Sequence, residues 1–238
     1  GGLCGLTANF QRKIPVVTTY HGSDINNKST RFFSQISIKL SKFNIFVSEK
    51  LLKISKLKKK SAVIPCGVDT SVFYPMSKTL AREKLFWKQD KVYVLFSKAF
   101  EQVVKNYPLA KAAVDRIDNA ELIELIGYTR EEVNLLFNAC DVALMTSISE
   151  GSPQFIKEAM ACDKSFVSTN VGDVSELVVH TKNSYISTYE VQDVVEKIEK
   201  VLSSKLENAS REYVLNNLSN HIIAEKILNI YNNLINKR

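Results

Sequence analysis

The chain has 238 residues, 45% apolar and 24% charged, the balance of an ordinary soluble globular protein with room for one large domain or two small ones. No apolar run approaches the ~18–20 residues that cross a bilayer, no signal peptide stands at the start, and no low-complexity segment or solenoid repeat breaks the sequence. The formal charge of +7 is uneven: residues 1–77 hold 12 Lys and Arg against 3 Asp and Glu, whereas residues 78–238 hold 20 against 22.

Gly1-Gly2-Leu3-Cys4-Gly5 has the glycines of a dinucleotide loop without the strand that must precede one. Leu6 to Arg12 reads as the end of a helix. Residues 14–20 are short and β-branched, the pattern of a buried strand. They deliver His21-Gly22-Ser23-Asp24 to the strand's C-terminal end, where open α/β sheets hold their ligands. Residues 29–42 place Phe32, Phe33, Ile36 and Leu40 on one helical face. A strand over Asn44–Val47 is followed by a helix capped by Ser48 and running to about Leu57, and then by a strand over Ala62–Pro65. Cys66-Gly67-Val68-Asp69 and Phe73-Tyr74-Pro75 come next, and the latter punctuates the chain as a connector between domains.

A second α/β unit begins with a helix over residues 79–86 and a strand over Val92–Phe96. A helix after Pro108 presents Leu109, Ala112, Ala113 and Ile117, and a strand over Leu122–Ile126 follows. Thr129 and Glu132 form a capping box for a helix to Asn138. Farther on come strands over Val142–Met145, Ser165–Thr169 and Tyr185–Ser187, a helix after Gly172, and several helices toward Arg238. Strands that alternate with helices predict parallel sheets joined by right-handed crossovers.

The stretch from Asp141 to Cys162 organises this second unit. Asp141, Val142 and Ala143 read as core strand without a chemical role. After Met145 come small polar residues, then Glu150-Gly151, and Ser152-Pro153 open a helix with Ser152 as N-cap and Pro153 at its first position. The first amides of such a helix, those of Gln154 and Phe155, sit at the positive end of its dipole and suit a phosphate. Glu150 precedes this cradle and Glu158 lies more than a turn beyond it. A pyrophosphate with hydroxyls on either side, as in a nucleotide sugar, has the matching layout. Glu150 and Glu158 do not suit the acid and nucleophile of a glycoside hydrolase, whose carboxylates flank the scissile bond ~5–10 Å apart, usually on separate elements.

The wording of this segment resembles the signature of family 4 (group 1) retaining glycosyltransferases: Glu150-Gly151, seven residues between the two glutamates, Glu158-Ala159-Met160-Ala161, then a strand and Val171-Gly172. His21-Gly22-Ser23-Asp24, Ile64-Pro65-Cys66-Gly67-Val68-Asp69 and Phe73-Tyr74-Pro75 extend the resemblance over nearly the whole chain. It implies an α/β protein of GT-B type, with two Rossmann-like domains built on parallel sheets. On this reading residues 1–75 are the remainder of the acceptor-side domain and its linker, residues 76–220 bind the nucleotide sugar, and residues 221–238 form a helix that packs back on the first domain. The first domain would be incomplete, and the start at Gly1 rather than Met fits a missing N-terminal part.

The resemblance also distributes roles. Glu158 would hold the ribose diol and Glu150 the sugar hydroxyls, while Gly151, Ser152, Gln154 and Phe155 would offer donors to the phosphates. Lys105, in Lys105-Asn106-Tyr107-Pro108, would offset charge on the leaving diphosphate. His21 would meet the donor sugar or its phosphate, with Asp24 on the acceptor side, and Gly127 and Tyr128 fall where relatives bring the nucleobase against backbone. Relatives carry an arginine several residues before the lysine. Here Ser97-Lys98-Ala99-Phe100-Glu101 stand in that region, so Ser97 joins the donor-binding set and Lys98 is a poor substitute.

The function implied is transfer of a sugar from a nucleotide diphosphate sugar to an acceptor hydroxyl with retained configuration, in polysaccharide or glycolipid synthesis. The alternatives are a fragment that binds the nucleotide sugar without turnover, or a GT-B phosphorylase or epimerase. No metal and no cofactor beyond the donor substrate are expected, because the three histidines and four cysteines lack ligand spacing. His180 and His221 read as surface residues. Cys4, Cys66, Cys140 and Cys162 form no C-x-x-C pair, which favours a reducing, cytoplasmic compartment. The basic first part, densest at Lys53, Lys56, Lys58, Lys59 and Lys60, suits a carbohydrate or lipid-linked acceptor and a peripheral contact with an anionic inner membrane face. Without interleaved aromatics it does not suit nucleic acid.

Overall fold

The computed structural model describes residues 1–11, 13–57, 60–98, 100–206 and 208–236. Arg12, Lys58, Lys59, Ala99 and Arg238, which figure in the readings above, lie outside them. The chain forms two compact units. One comprises Gly1–Gly67, Glu150–Ser152 and Asn220–Arg238, and the other Val68–Ser149 and Pro153–Ser219.

In the first unit the order is α1 (Gly2–Phe10), β1 (Val17–Tyr20), α2 (Ser23–Asn26), α3 (Lys28–Leu40), β2 (Phe43–Phe46), α4 (Glu49–Ser55) and β3 (Ser61–Val63). The three strands form a parallel sheet in the order β1-β2-β3, with Val17 opposite Phe43 and Asn44 opposite Ser61. Tyr20 stacks on Phe46 with ring centroids 4.9 Å apart, and Ile25, Ile38, Val47 and Leu51 close the core around them. The strand read over residues 14–20 forms only from Val17. Ser48 is the N-cap residue of α4, yet its hydroxyl makes no capping bond and is buried without a partner among the described residues.

In the second unit the order is α5 (Lys78–Lys84), β4 (Val92–Phe96), α6 (Tyr107–Val114), β5 (Ala120–Ile123), α7 (Arg130–Ala139), β6 (Val142–Met145), α8 (Gln154–Ala161), β7 (Phe166–Thr169), α9 (Val174–Leu177), β8 (Tyr185–Ser187), α10 (Val191–Ser203) and α11 (Arg211–Asn217). The sheet runs β5-β4-β6-β7-β8 and every pair is parallel. β6 is buried along its whole length because both faces are covered, which is why its sequence is a continuous apolar run rather than an alternating one. One face carries Phe137, Phe155, Ile156, Met160 and Phe166 in a single cluster, and the other carries Val94, Phe96, Leu144, Val167 and Ile198. The capping box of Thr129 and Glu132 is present at the start of α7.

The last helix, α12 (Asn220–Ile235), belongs to the first unit, where Ile223 packs with Ile45 and Ile64. Among the described residues no helix is long and apolar enough to cross a membrane.

The units divide at Gly67–Val68 and at Ser219–Asn220, earlier than the connector read at Phe73-Tyr74-Pro75. Phe73 is only 1% exposed inside the second core, and the Arg211 guanidinium donates to the carbonyls of Phe73 (2.7 Å) and Thr70 (3.2 Å). Prolines and glycine marked a bend there, but an anchored one. Asp141 also does more than continue a strand. Its carboxylate accepts from the fully buried Arg82 (2.7 Å), from Lys78 (3.0 Å) and from the Tyr93 amide (2.7 Å). Removing it would leave Arg82 buried and unneutralised, a change that typically costs ~3–5 kcal/mol.

Candidate functional site

The loop that follows β4 begins with Ser97, which is 4% exposed and whose hydroxyl has no partner among the described residues. It ends in a 3-10 turn, Val103–Lys105, closed by Asn106 in the left-handed region. Four contacts hold this loop. The Phe100 amide donates to Glu124 (2.8 Å), and the Phe100 ring stacks on Tyr107 with centroids 4.1 Å apart. The Thr146 hydroxyl, one residue past β6, lies within hydrogen-bond reach of the carbonyls of Lys105 (2.9 Å) and Asn106 (3.0 Å). The Ile148 amide donates to the Val104 carbonyl (2.9 Å). Lys105 is therefore carried by a segment tied to the end of the central strand, and its side chain is half-buried.

The helix after β6 starts one residue later than the sequence suggests. Pro153 is the N-cap residue of α8, and Ser152 stands one residue before it, outside the helix. Proline's fixed φ suits the entry position, where its missing N–H costs nothing. Gln154 is half-buried and Phe155 is 7% exposed, its ring 5.1 Å from that of Phe137, so Phe155 has only its backbone to offer a ligand.

Glu158 lies one turn into α8. No hydrogen bond from the described residues reaches its carboxylate, and desolvation pushes its pKa up to about 7, against the opposing pull of Arg130 and Lys157. A carboxylate in such surroundings gains from hydroxyl donors that the fold itself does not supply. Arg130, whose guanidinium sits 5.4 Å above the Phe73 ring, stands at the start of α7 just past Gly127 and Tyr128. Gly127 has φ of +77° with open space where a Cβ would be, and Tyr128 is 43% exposed.

In the first unit the turn after β1 is built around two glycines. The amides of His21 and Gly22 donate to the Asp24 carboxylate (3.2 and 3.0 Å), so Asp24 is committed to shaping this turn. Gly22 has φ of +132°, which side chains rarely adopt, and a Cβ on it would lie 2.9 Å from Gly151 Cα. A Cβ on Gly151 would lie 1.8 Å from the His21 carbonyl. Glu150–Ser152 can approach His21 only because position 151 has no side chain. His21 is exposed, with Nδ1 3.5 Å from Cys66 Sγ.

The structure thus brings His21, Asp24 and Gly151 together in the first unit. In the second, the charges of Arg130 and Lys157 act on Glu158, and Thr146 holds the backbone of Lys105. Thr146, Arg130, Lys157 and Cys66 were not found from sequence. Thr146 could have been, as the hydroxyl residue closing the strand that leads to Glu150; Lys157 is fully buried although its type suggests a surface position. His180 and His221 are exposed, the former stacked on Tyr213 at 3.6 Å and the latter paired with Glu225. Among the described residues no three His, Cys, Asp or Glu side chains gather as metal ligands.

Comparison with known proteins gives this geometry a setting. Residues 118–217 match the family model of the glycosyl transferases group 1. The chain is 25% identical to N,N'-diacetylbacillosaminyl-diphospho-undecaprenol alpha-1,3-N-acetylgalactosaminyltransferase of Campylobacter jejuni, over 84% of this chain and 63% of that protein. It thus spans somewhat less than two thirds of that relative's length. Among solved structures it superposes on sucrose-phosphate synthase from Thermosynechococcus elongatus with a TM-score of 0.83, at 19% identity, covering 98% of this chain and 71% of the other. Anabaena HepE, in complex with UDP and glucose, superposes with a TM-score of 0.77 at 20% identity, over 96% of this chain and 74% of that one. These structural likenesses establish the fold.

Proposed function

We propose that the chain transfers a sugar from a nucleotide diphosphate sugar to an acceptor hydroxyl with retention of configuration, a reading supported by the match of residues 118–217 to the group 1 glycosyl transferase model and by the GT-B fold. Glu158 carries this reading. It is a glutamate of the matched stretch, desolvated, reached by no hydrogen bond from the described residues, and one turn inside the helix that follows the central strand. A ribose diol would supply the missing donors. Gly151, Ser152 and the first amides of α8 take the phosphates, Lys105 offsets the charge that grows on the leaving diphosphate, and Glu150 and His21 hold the sugar. Gly127 and Tyr128 border the base. The lysine and the helix end serve where other transferases use a divalent ion, so turnover should survive a chelator.

The activity for which the Campylobacter relative is named suggests an acceptor linked to a lipid diphosphate, and UDP bound to HepE suggests a uridine donor. The basic first part of the chain would then meet anionic lipid at the membrane face, and vesicle binding should weaken as salt rises. Calorimetric titration with UDP and GDP sugars, followed by product analysis with a polyprenyl-diphosphate sugar acceptor, tests the reading. Transfer with the donor's anomeric configuration supports it. Binding without turnover points to a module that only holds the nucleotide sugar, and free sugar or an epimer as sole product overturns the transferase assignment.

A further inference from the structure

We propose that Cys66 is a positioning residue that holds the His21 ring and selects its tautomer. The proposal rests on the reading of His21 above only for its catalytic consequence. Both residues lie in the first unit, just past the ends of β1 and β3, and Cys66 Sγ is 3.5 Å from His21 Nδ1.

The backbone on each side of this contact is fixed. On the histidine side, the Asp24 carboxylate accepts from the amides of His21 and Gly22, and Gly151 abuts the His21 carbonyl. On the cysteine side, the Ile64 amide donates to the Phe46 carbonyl (2.9 Å), and Ile64 is buried against Ile45 and Ile223. Cys66 itself packs against the cluster of Tyr20, Phe46 and Leu51. A Cβ on Gly67 would lie 2.5 Å from Asn220 Oδ1, so the chain leaving Cys66 is pressed onto the start of α12. The backbone on neither side can shift without disturbing these contacts, so the fold holds the thiol within reach of the imidazole.

A neutral imidazole has one donor and one acceptor nitrogen, and whichever bond one nitrogen makes decides the role of the other. Sulfur is a poor acceptor, whereas S–H can donate to an imidazole nitrogen. A thiol donating to Nδ1 leaves the ring proton on Nε2. His21 then presents an N–H, the form that a phosphate or sugar oxygen accepts. Cys66 would touch no substrate and act through His21.

Nitrogen-15 spectra of the His21 ring in the full chain, at a pH well above the ordinary imidazole range, test this directly. In the wild type and in Cys66→Ser, Nδ1 should resonate as a hydrogen-bonded acceptor and Nε2 as the protonated nitrogen. In Cys66→Ala, or in Cys66→Val where more of the volume is kept, the Nδ1 signal should move toward that of an unengaged nitrogen. Turnover should fall about fivefold, the worth of one ordinary hydrogen bond, with KM little changed and with recovery in the serine variant. An Nδ1 signal unmoved in Cys66→Ala, or a wild-type ring protonated on Nδ1, overturns the proposal. His21→Ala separates the two ideas: full activity there sinks the role given to His21 in transfer and leaves the spectroscopic answer about Cys66 intact.

Discussion

Two loops, one in each unit, carry residues proposed to meet the donor, and they are held in opposite ways. The turn after β1 reaches His21 directly from the end of a strand, and its shape depends on what is absent: side chains at Gly22 and Gly151. The loop after β4 takes eight further residues to arrive at Lys105, and its shape depends on added contacts from Glu124, Tyr107 and Thr146. A short turn leaves so few dihedrals open that steric room decides its path. A longer one has conformational entropy to lose and must be pinned at several points. The first should therefore fail abruptly on gaining an atom, and the second gradually on losing a bond.

The largest effects should come from the charged or polar tips that these loops present. Lys105→Ala and His21→Ala are each expected to lower kcat/KM by ~10²–10³, the usual loss when one preorganised electrostatic contact is removed. Gly151→Ala should come next. Its methyl would collide with the His21 carbonyl, and an ångström of displacement near reacting groups can cost ~10²-fold. Steady-state kinetics with an unchanged far-UV spectrum would attribute the loss to the turn. A Gly151→Ala variant of normal activity would show that the two segments separate during turnover.

Much of this was legible beforehand, and the misses have a common cause. β4, β6 and β8 lie within the ranges read from their apolar runs, and the Thr129–Glu132 box lies where its spacing placed it. Buried parallel strands and capping boxes are written in local residue types. The misread features are those settled by distant partners. Phe73 looks like part of a linker until Arg211, well over a hundred residues away, holds its carbonyl. Ser152 has the chemistry of an N-cap, but Pro153 takes that position. Ser48 occupies its predicted cap without bonding there. Cys66 gave no local sign of facing His21, because that contact exists only once β1 and β3 flank β2 in one sheet.

Glu158 extends the contrast from loops to a helix. Burial raises its pKa from 4.5 to about 7, so the folded state favours the protonated form more than the unfolded chain does. The stability this confers is fully present below pH 4.5 and is lost as pH rises toward 7, on the order of 3 kcal/mol in the absence of ligand. Glu158→Gln should flatten that decline in melting experiments across the same pH window. Donor affinity runs the other way, since ribose hydroxyls donate to the carboxylate. It should rise through pH 7 in the wild type, and at pH 8 the glutamine variant should bind about 30-fold more weakly, without a pH slope. A wild-type affinity that is level from pH 5.5 to 8 would remove Glu158 from the donor site.

The pinned loop predicts a milder failure. Thr146→Val keeps the shape of the side chain but withdraws the hydroxyl that lies between two carbonyls. The expected cost is about 1–2 kcal/mol of stability and roughly tenfold in kcat, from Lys105 sampling more positions. An equal drop in kcat and kcat/KM would be its signature, and a change confined to KM would argue that the loop only gathers substrate.

The smallest change asks the sharpest question of the same loop. Ser97 stands at its root with a buried hydroxyl that has no partner among the described residues. If that hydroxyl serves only the fold, it is a defect, because an unsatisfied buried polar group costs about 1–3 kcal/mol, and Ser97→Ala should stabilise the protein with donor affinity unchanged. If it waits for a phosphate oxygen, the same variant should still melt higher without ligand but bind nucleoside diphosphate several-fold more weakly. Melting temperature and calorimetric affinity measured on one pair of proteins distinguish these cases. The second outcome would mean that the loop after β4, for all its contacts, leaves one bond for the donor to complete.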